Sequence, residues 1–325
     1  MIARVYKECG ALKGKVRMVF FAAMFWISGW SAACEKMDGN GECRIDYESL
    51  VDGGLKCGED FSYVEEQDGK AVFGIKAMPY INLDLAGVVK MDTVARVLVL
   101  AEGTEESLDL DLTVKICHVE FPRIEVPGQP EPTYLDLVPE AYEALEPVPV
   151  AGRLSGNRTC DSWETETAVF VFGARLGGDA MGPLPLDPEA QTCMGDGDID
   201  CIYDLDGDGL PGATMIAEHF PVLDIRRLET TMRTAVSLSG IVVGLDAIVG
   251  SVEMLLDIRI LGCHIWDNTL SRERECSGEE KRVVQGMKPT VVQLAQPESP
   301  FAAVRVPLDL TCEELLEDET LYFGY

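Results

Sequence analysis

Residues 108–116, which read LDLDLTVKI, indicate the fold class of this chain. Leucine, valine and isoleucine occupy every second position, and aspartate, threonine and lysine stand between them. This period of two is typical of a β-strand with one buried and one solvated face. Strands that leave one face in water are typical of antiparallel sheets. The segment therefore predicts an antiparallel β protein.

Similar strand patterns extend outward from this segment in both directions. They cover residues 61–66, 71–78, 83–89, 95–101, 167–176, a three-stranded meander at 223–261, 283–294 and 302–310. Asp68-Gly69 stands between the first two runs and is a strong hairpin turn. Because helical periodicity is almost absent, we predict an all-β fold, an antiparallel barrel or sandwich, formed by a single domain at 59–312.

A proline-rich segment interrupts the strand pattern. Residues 121–152 contain seven of the 17 prolines, which predicts an excursion outside the sheet. Pro139 suits the first turn of one short helix, which Pro147 ends. We interpret the excursion as a packed connection, with a lid or partner-binding arm as the alternative.

The N-terminus has the pattern of an export signal. Five basic residues precede or begin a ten-residue apolar run at 18–27, and small residues at 31–33 suit cleavage. Cys34 follows, where a lipoprotein carries its lipid. We predict a signal peptide at 1–33, a Cys/Gly-rich tether at 34–58, and export either as a lipoprotein of the outer membrane or periplasm or as a secreted protein.

The net charge of −29 limits the partners of the chain. It repels phosphate groups, so we expect no nucleic-acid partner, and it repels anionic lipids, so we expect membrane contact only through a lipid at Cys34. The acidic residues 313–325 are expected to form a C-terminal tail outside the β domain.

Eleven cysteines indicate disulfides in an oxidising compartment. We expect two local bonds, Cys193–Cys201 and Cys263–Cys276, because each closes a short polar loop between strands. A zinc site is the weaker interpretation, since the chain has no C-x-x-C pair and its three histidines lack ligand spacing.

An aspartate-rich loop is the strongest candidate for a binding site. Its core, residues 204–209, reads DLDGDG and matches positions 1, 3, 5 and 6 of a calcium loop. Met215 stands where an EF-hand has its bidentate glutamate, so we predict a variant loop with low calcium affinity and a structural role. The predicted ligands are Asp204, Asp206, Asp208, Asp196, Asp198 and Asp200. A solvated acidic turn is the alternative.

The motifs VFGARL at 171–176 and DLDGDGLPGAT at 204–214 resemble those of a group of exported proteins of myxobacteria-like bacteria. The similar region covers roughly residues 110–310. The resemblance implies an exported β-rich architecture with the aspartate loop as part of the fold, and it implies no reaction.

No sequence motif of a known enzyme class is recognisable. The chain lacks G-x-S-x-G, H-E-x-x-H, a P-loop and a dinucleotide fingerprint. We therefore expect a noncatalytic exported or envelope-anchored domain with a calcium loop. Two alternatives stay open: a carrier of a small apolar ligand in a barrel cavity, and a hydrolase of an envelope polymer, which would place His118 beside a carboxylate in an open cleft.

Overall fold

A computed structural model describes residues 57–63, 69–85, 89–94, 96–106, 108–121, 123–126, 128–195, 197–220, 223–244, 246–286, 292–293 and 299–323. The predicted signal peptide, Cys34, nearly all of the predicted tether and Asp196 lie outside these residues. No helix in the described part combines the length and apolarity that a membrane crossing requires.

Most of the described chain is β-strand. The strands are β1 Ala71–Ala77, β2 Tyr80–Leu85, β3 Val89–Val94, β4 Arg96–Glu106, β5 Asp109–Glu120, β6 Tyr134–Leu137, β7 Val148–Leu154, β8 Ser162–Thr165, β9 Ala168–Phe172, β10 Ala174–Arg175, β11 Cys201–Ile202, β12 Ala213–Glu218, β13 Ile225–Gly244, β14 Ala247–Asp267, β15 Arg272–Glu275, β16 Val292–Gln293 and β17 Pro300–Val306. The helices are α1 Pro139–Ala144, α2 Gly278–Gly286, α3 Cys312–Glu317 and α4 Glu319–Phe323.

The main sheet closes on itself. Each strand in the order β14, β17, β1, β4, β5, β7, β8, β13 pairs antiparallel with the next, and β13 pairs with β14 again. The ring is therefore an antiparallel barrel, and the all-β antiparallel prediction is confirmed. Strands β6, β9, β12, β15 and β16 add to this sheet outside the ring.

The predicted meander at 223–261 is instead a hairpin of two long strands, β13 and β14, with 20 and 21 residues. The pair extends beyond the barrel, where β12 joins β13 and β15 joins β14. The aspartate loop leads directly into β12 at this extension.

Apolar side chains fill the barrel. Its interior leaves a cavity of about 30 Å³, which is room for little more than one water. Residues from most strands of the ring and from β9 line the cavity, including Ile75, Val97, Leu112, Trp163, Phe170 and Met254. The residues of β5 that alternation predicts to be buried, such as Leu110 and Leu112, do belong to this core.

The C-terminal residues pack against the outside of the barrel. Leu315 and Phe323 are fully buried against β4, β5 and β17 in a second apolar cluster. Glu319 pairs with Lys76 at 2.7 Å and with Arg96. Residues 313–323, expected to be a tail, therefore form most of two helices of the folded domain, because Leu315 and Phe323 among the carboxylates give these helices a buried face.

The proline-rich segment is also packed. Tyr142 of α1 is buried and its hydroxyl contacts the backbone N–H and C=O of Val119 at 3.2 and 3.0 Å. Strand β6 pairs with β12, and β7 is a strand of the barrel that begins inside the predicted excursion. The short helix lies where Pro139 predicts it.

The strand expected at 283–294 is only partly found: residues 283–286 end the helix α2, Val292–Gln293 form the strand β16, and the other residues of this range lie outside the described part of the chain. At the start of this helix the Ser277 hydroxyl accepts a hydrogen bond from Glu280 N–H at 3.4 Å. The Glu280 carboxylate in turn accepts one from Ser277 N–H at 2.7 Å. The sequence S-x-x-E at 277–280 is the capping-box pattern that indicates such a start.

Four disulfides join described residues. Both expected local bonds, Cys193–Cys201 and Cys263–Cys276, are present. Two long-range bonds, Cys57–Cys160 and Cys117–Cys312, span 103 and 195 residues. The second of these ties the start of α3 to β5.

Candidate metal centre

The aspartate loop connects β11 to β12 on the extended end of the barrel. Its base is closed by two backbone bonds, from Leu205 N–H to Gly212 C=O at 2.9 Å and from Gly212 N–H to Tyr203 C=O at 3.0 Å. Gly207 and Gly209 have φ values of 75° and 86°, a left-handed conformation that suits glycine. Gly207 and Gly209 thus allow the loop to fold back on itself.

Gly212 fixes the end of the loop against the barrel. Its φ is 95°, and a Cβ at this position would overlap the carbonyl oxygen of Thr230 on β13. A Cβ at Gly173 would in turn overlap the backbone of Gly212. Gly173 of the VFGARL motif and Gly212 of the DLDGDGLPGAT motif are therefore in direct contact.

Asp204, Asp206 and Asp208 come together at this loop. One carboxylate oxygen from each lies within 4.8 Å of the others, and this is the only group of three or more potential metal-ligating side chains among the described residues. Oxygen atoms at such mutual distances can share one cation. The triad can therefore hold a metal ion.

Backbone groups of the loop hold the triad in place. Asp204 accepts bonds from Gly207 N–H and Gly209 N–H, both at 2.8 Å. Asp208 accepts from Leu210 N–H at 2.8 Å and from the Thr214 hydroxyl at 3.0 Å. These hydrogen bonds fix the positions of the Asp204 and Asp208 carboxylates.

Asp206 is the member of the triad with an unsatisfied atom. Its Oδ2 accepts a bond from Thr214 N–H at 2.7 Å, whereas its buried Oδ1 has no hydrogen-bond partner. A buried carboxylate oxygen without a partner is rare and costly. Burial raises the pKa of Asp206, and the neighbouring Asp208 and Asp204 act in the same direction, whereas its bond from Thr214 N–H opposes them. A cation at the triad would offset this penalty.

Arg227 of β13 lies beside the triad. Its Nη1 lies 3.9 Å from Asp208 Oδ2, while its Nε contacts Glu273 Oε1 of β15 at 2.5 Å. Arg227 therefore offsets part of the negative charge at one edge of the triad.

Asp198 and Asp200 do not belong to the triad, and Asp196 lies outside the described residues. Asp198 accepts bonds from Met194 N–H and Gly195 N–H, and Asp200 accepts one from Gly177 N–H. These carboxylates order the disulfide-closed loop at 193–201. Met215, at the position of the missing glutamate, is buried in the core.

Buried polar residues hold the segment that precedes the aspartate loop. Arg233 of β13 bonds the carbonyl oxygens of Ala180, at 3.2 Å, and Gly182, and it pairs with Asp257 of β14 at 3.2 Å. Thr231 bonds the carbonyl oxygen of Pro185 at 3.0 Å. The sequence-based predictions did not include these residues. The signal in the sequence was a charged residue, Arg233 or Asp257, within a largely apolar strand pattern.

The histidines occupy different surroundings from those considered in the sequence. His118 is half-buried, and its ring centroid lies 5.3 Å from that of Tyr142. His264 of β14 instead lies between Glu229 and Glu273. The approach of His264 to Glu229 depends on the register of β13 against β14, which the spacing of residues in the sequence does not give.

Comparisons with known proteins give no relative for this chain. No protein-family model, no curated protein and no solved structure matches it.

Proposed function

We propose that this protein is a noncatalytic, exported β-barrel domain whose aspartate loop binds calcium to stabilise the fold. The observation that carries the proposal is the unsatisfied Oδ1 of Asp206 within a triad of carboxylates. An ion at this position satisfies that oxygen and offsets the mutual repulsion of Asp204, Asp206 and Asp208.

The donor set favours calcium over softer metals. The triad offers only carboxylate oxygens, which are the ligands of hard cations. With three protein carboxylates and no position-12 glutamate, we expect weak binding, with Kd on the order of 10⁻⁴ to 10⁻³ M, as in extracellular modules. Backbone carbonyls and water complete the coordination in this proposal.

The position of the loop supports a structural role. Its end at Gly212 packs on Gly173 and Thr230, so the loop geometry is coupled to β10 and β13. A cation that binds only this folded arrangement stabilises it by mass action.

Export is the second part of the proposal. It is supported by the signal pattern at 1–33 and by four disulfides, which persist in oxidising compartments. Cys34 is the proposed lipid attachment site, which would anchor the domain in the envelope.

Among the described residues, neither alternative gains a feature that favours it over a calcium-binding domain. A carrier requires a cavity of several hundred Å³, whereas the barrel interior leaves about 30 Å³. An open cleft of about 480 Å³ lies across β4, β5 and β7. Its carboxylates are Asp111 and Glu102, of which Glu102 pairs with Lys70 at 2.6 Å, and none of its lining residues is a histidine.

Calcium should raise the thermal midpoint of the purified protein. At about 100 times Kd the gain is about 2.7 kcal/mol, which corresponds to several degrees. Asp206→Asn should remove most of this gain, because the amide keeps an acceptor for Thr214 N–H but loses the charge. Thermal melts with excess calcium and with chelator measure the effect.

Asp198→Asn is the matched control. It also replaces a carboxylate that accepts backbone bonds, but it lies outside the triad, so the calcium shift should stay as in the wild type. Equal midpoints with calcium and chelator would contradict the proposal, as would an equal loss of the shift in both variants.

A further inference from the structure

Arg227 of β13 lies between two carboxylates that belong to different parts of the fold. On one side its Nη1 lies 3.9 Å from Asp208 Oδ2 of the aspartate loop. On the other side its Nε donates a hydrogen bond to Glu273 Oε1 of β15 at 2.5 Å. One guanidinium therefore connects the candidate metal centre with the strand that pairs with the end of β14.

The two contacts of Arg227 differ in kind. The bond to Glu273 is short and charge-assisted, whereas 3.9 Å to Asp208 exceeds hydrogen-bond distance and leaves an electrostatic attraction. Asp208 Oδ2 accepts its hydrogen bond from the Thr214 hydroxyl at 3.0 Å instead. Arg227 thus acts on the triad through its charge, while Glu273 holds the guanidinium in place.

The position of Arg227 is tied to the end of the aspartate loop. Strand β12 begins at Ala213, and its Ile216 pairs with Arg227 of β13. The side chains of Arg227, Asp208 and Glu273 are 33%, 28% and 31% exposed, so water screens their charges only in part. The charge of Arg227 therefore acts on the triad from a fixed position.

A calcium ion at the triad and the guanidinium of Arg227 would both be attracted to Asp208 and would repel each other. At a separation of about 6 Å, a divalent ion and a unit charge repel each other enough to raise Kd by about tenfold even at the dielectric constant of water. Dissolved salt reduces this repulsion. Removal of the positive charge should therefore tighten calcium binding.

We propose that Arg227 is a built-in counter-ion that keeps the calcium affinity of the aspartate loop low, and that Glu273 limits this effect by drawing the guanidinium away from Asp208. The inference rests on the calcium loop proposed above and adds its regulation. In the ion-free loop, Arg227 offsets part of the repulsion among the three carboxylates. The loop then responds only to calcium at the concentrations of extracellular modules, on the order of 10⁻⁴ to 10⁻³ M.

Calcium titrations of the wild-type protein and of Arg227→Gln test the counter-ion. They are followed through the amide resonances of Gly207 and Thr214, whose N–H groups donate to Asp204 and Asp206, at constant pH and ionic strength. Kd should be about three- to tenfold lower in the variant, because the repulsion is lost. The difference should shrink at high salt, since the groups are partly exposed.

Arg226→Gln is the matched control. It removes the same charge from the adjacent residue of β13, but the guanidinium of Arg226 pairs with Asp224 at 3.0 Å. Because screening weakens the field of a more distant exposed charge, its Kd should stay within about twofold of the wild-type value.

Glu273→Gln should have the opposite effect and weaken calcium binding, because Arg227 loses its partner and is left to Asp208. Glu275→Gln removes a carboxylate of the same strand, which pairs with Lys281 at 2.7 Å, and should weaken binding less. In the Arg227→Gln background, Glu273→Gln should weaken binding less than it does in the wild-type protein, since no guanidinium remains to be released.

An unchanged or higher Kd in Arg227→Gln would overturn the inference and leave the calcium loop in place, as would an equal gain in Arg226→Gln. Equal effects of Glu273→Gln in both backgrounds would refute the part assigned to Glu273. If neither the wild-type protein nor Arg227→Gln responds to calcium, the proposed function fails and the counter-ion fails with it. If Arg227→Gln does not fold, equal Kd values of Glu273→Gln and Glu275→Gln would still refute the inference.

Discussion

Two glycines of the aspartate loop, Gly209 and Gly212, both have a positive φ, but the space around them differs. Gly209 has a φ of 86° and nothing within 4 Å of the position that a Cβ would take. Gly212 has a φ of 95°, and a Cβ there would overlap Thr230 O. At the scale of single residues, Gly209 is therefore required only by its backbone conformation. Gly212 is required both by its backbone conformation and by its close packing against Thr230.

Gly212→Ala should therefore destabilise the protein far more than Gly209→Ala. Left-handed strain alone costs about 1–2 kcal/mol at Gly209, whereas the added overlap at Gly212 should bring the loss to about 3 kcal/mol or more. Urea unfolding of the two variants measures the difference. Equal losses would show that Gly212 does not hold the loop against β13.

At the scale of elements, α3 shows how an acidic segment becomes part of the fold. Thr311 and Glu314 form a capping box at its start, and Leu315 is fully buried against the barrel while Leu316 is 37% exposed. The helix therefore has one face in an apolar cluster and one face in water.

Leu315→Ala should cost about 2–4 kcal/mol of the free energy of unfolding, because it leaves a cavity in that cluster. Leu316→Ala, the adjacent control, should cost less than about 1 kcal/mol. Chemical denaturation with all disulfides intact compares the two. A small effect of Leu315→Ala would mean that 313–323 behave as the tail that composition suggests.

At the scale of the whole molecule, the disulfides differ mainly in the length of chain that they close. Cys117–Cys312 joins residues 195 apart, and Cys193–Cys201 joins residues 8 apart. The longer bond restricts far more conformations of the unfolded chain, and it also fastens α3 to the barrel.

Replacing Cys117 and Cys312 together by alanine should cost about 5 kcal/mol, against about 2.5 kcal/mol for Cys193 and Cys201 together, from loop entropy alone. Equilibrium unfolding of the two double variants provides the comparison. A larger loss at Cys193 and Cys201 would indicate that the acidic loop, not chain closure, dominates stability.

The sequence by itself determined the features that depend on neighbouring residues. The alternation at 108–116 predicted a strand because period two is local, and the spacing of Asp204, Asp206 and Asp208 predicted their convergence because one loop carries all three. The bonds Cys193–Cys201 and Cys263–Cys276 followed in the same way from short separations.

Only the tertiary structure decided which distant segments meet. Closure of the barrel through β14 and β17, the packing of Leu315 and the facing of Glu229 and His264 all join residues far apart in the chain or on opposite strands. Asp198 and Asp200 looked equivalent to the triad in composition, but the backbone turns them to other N–H groups. Such choices depend on the packing of the whole chain, since each long-range contact is favourable only when the others have formed.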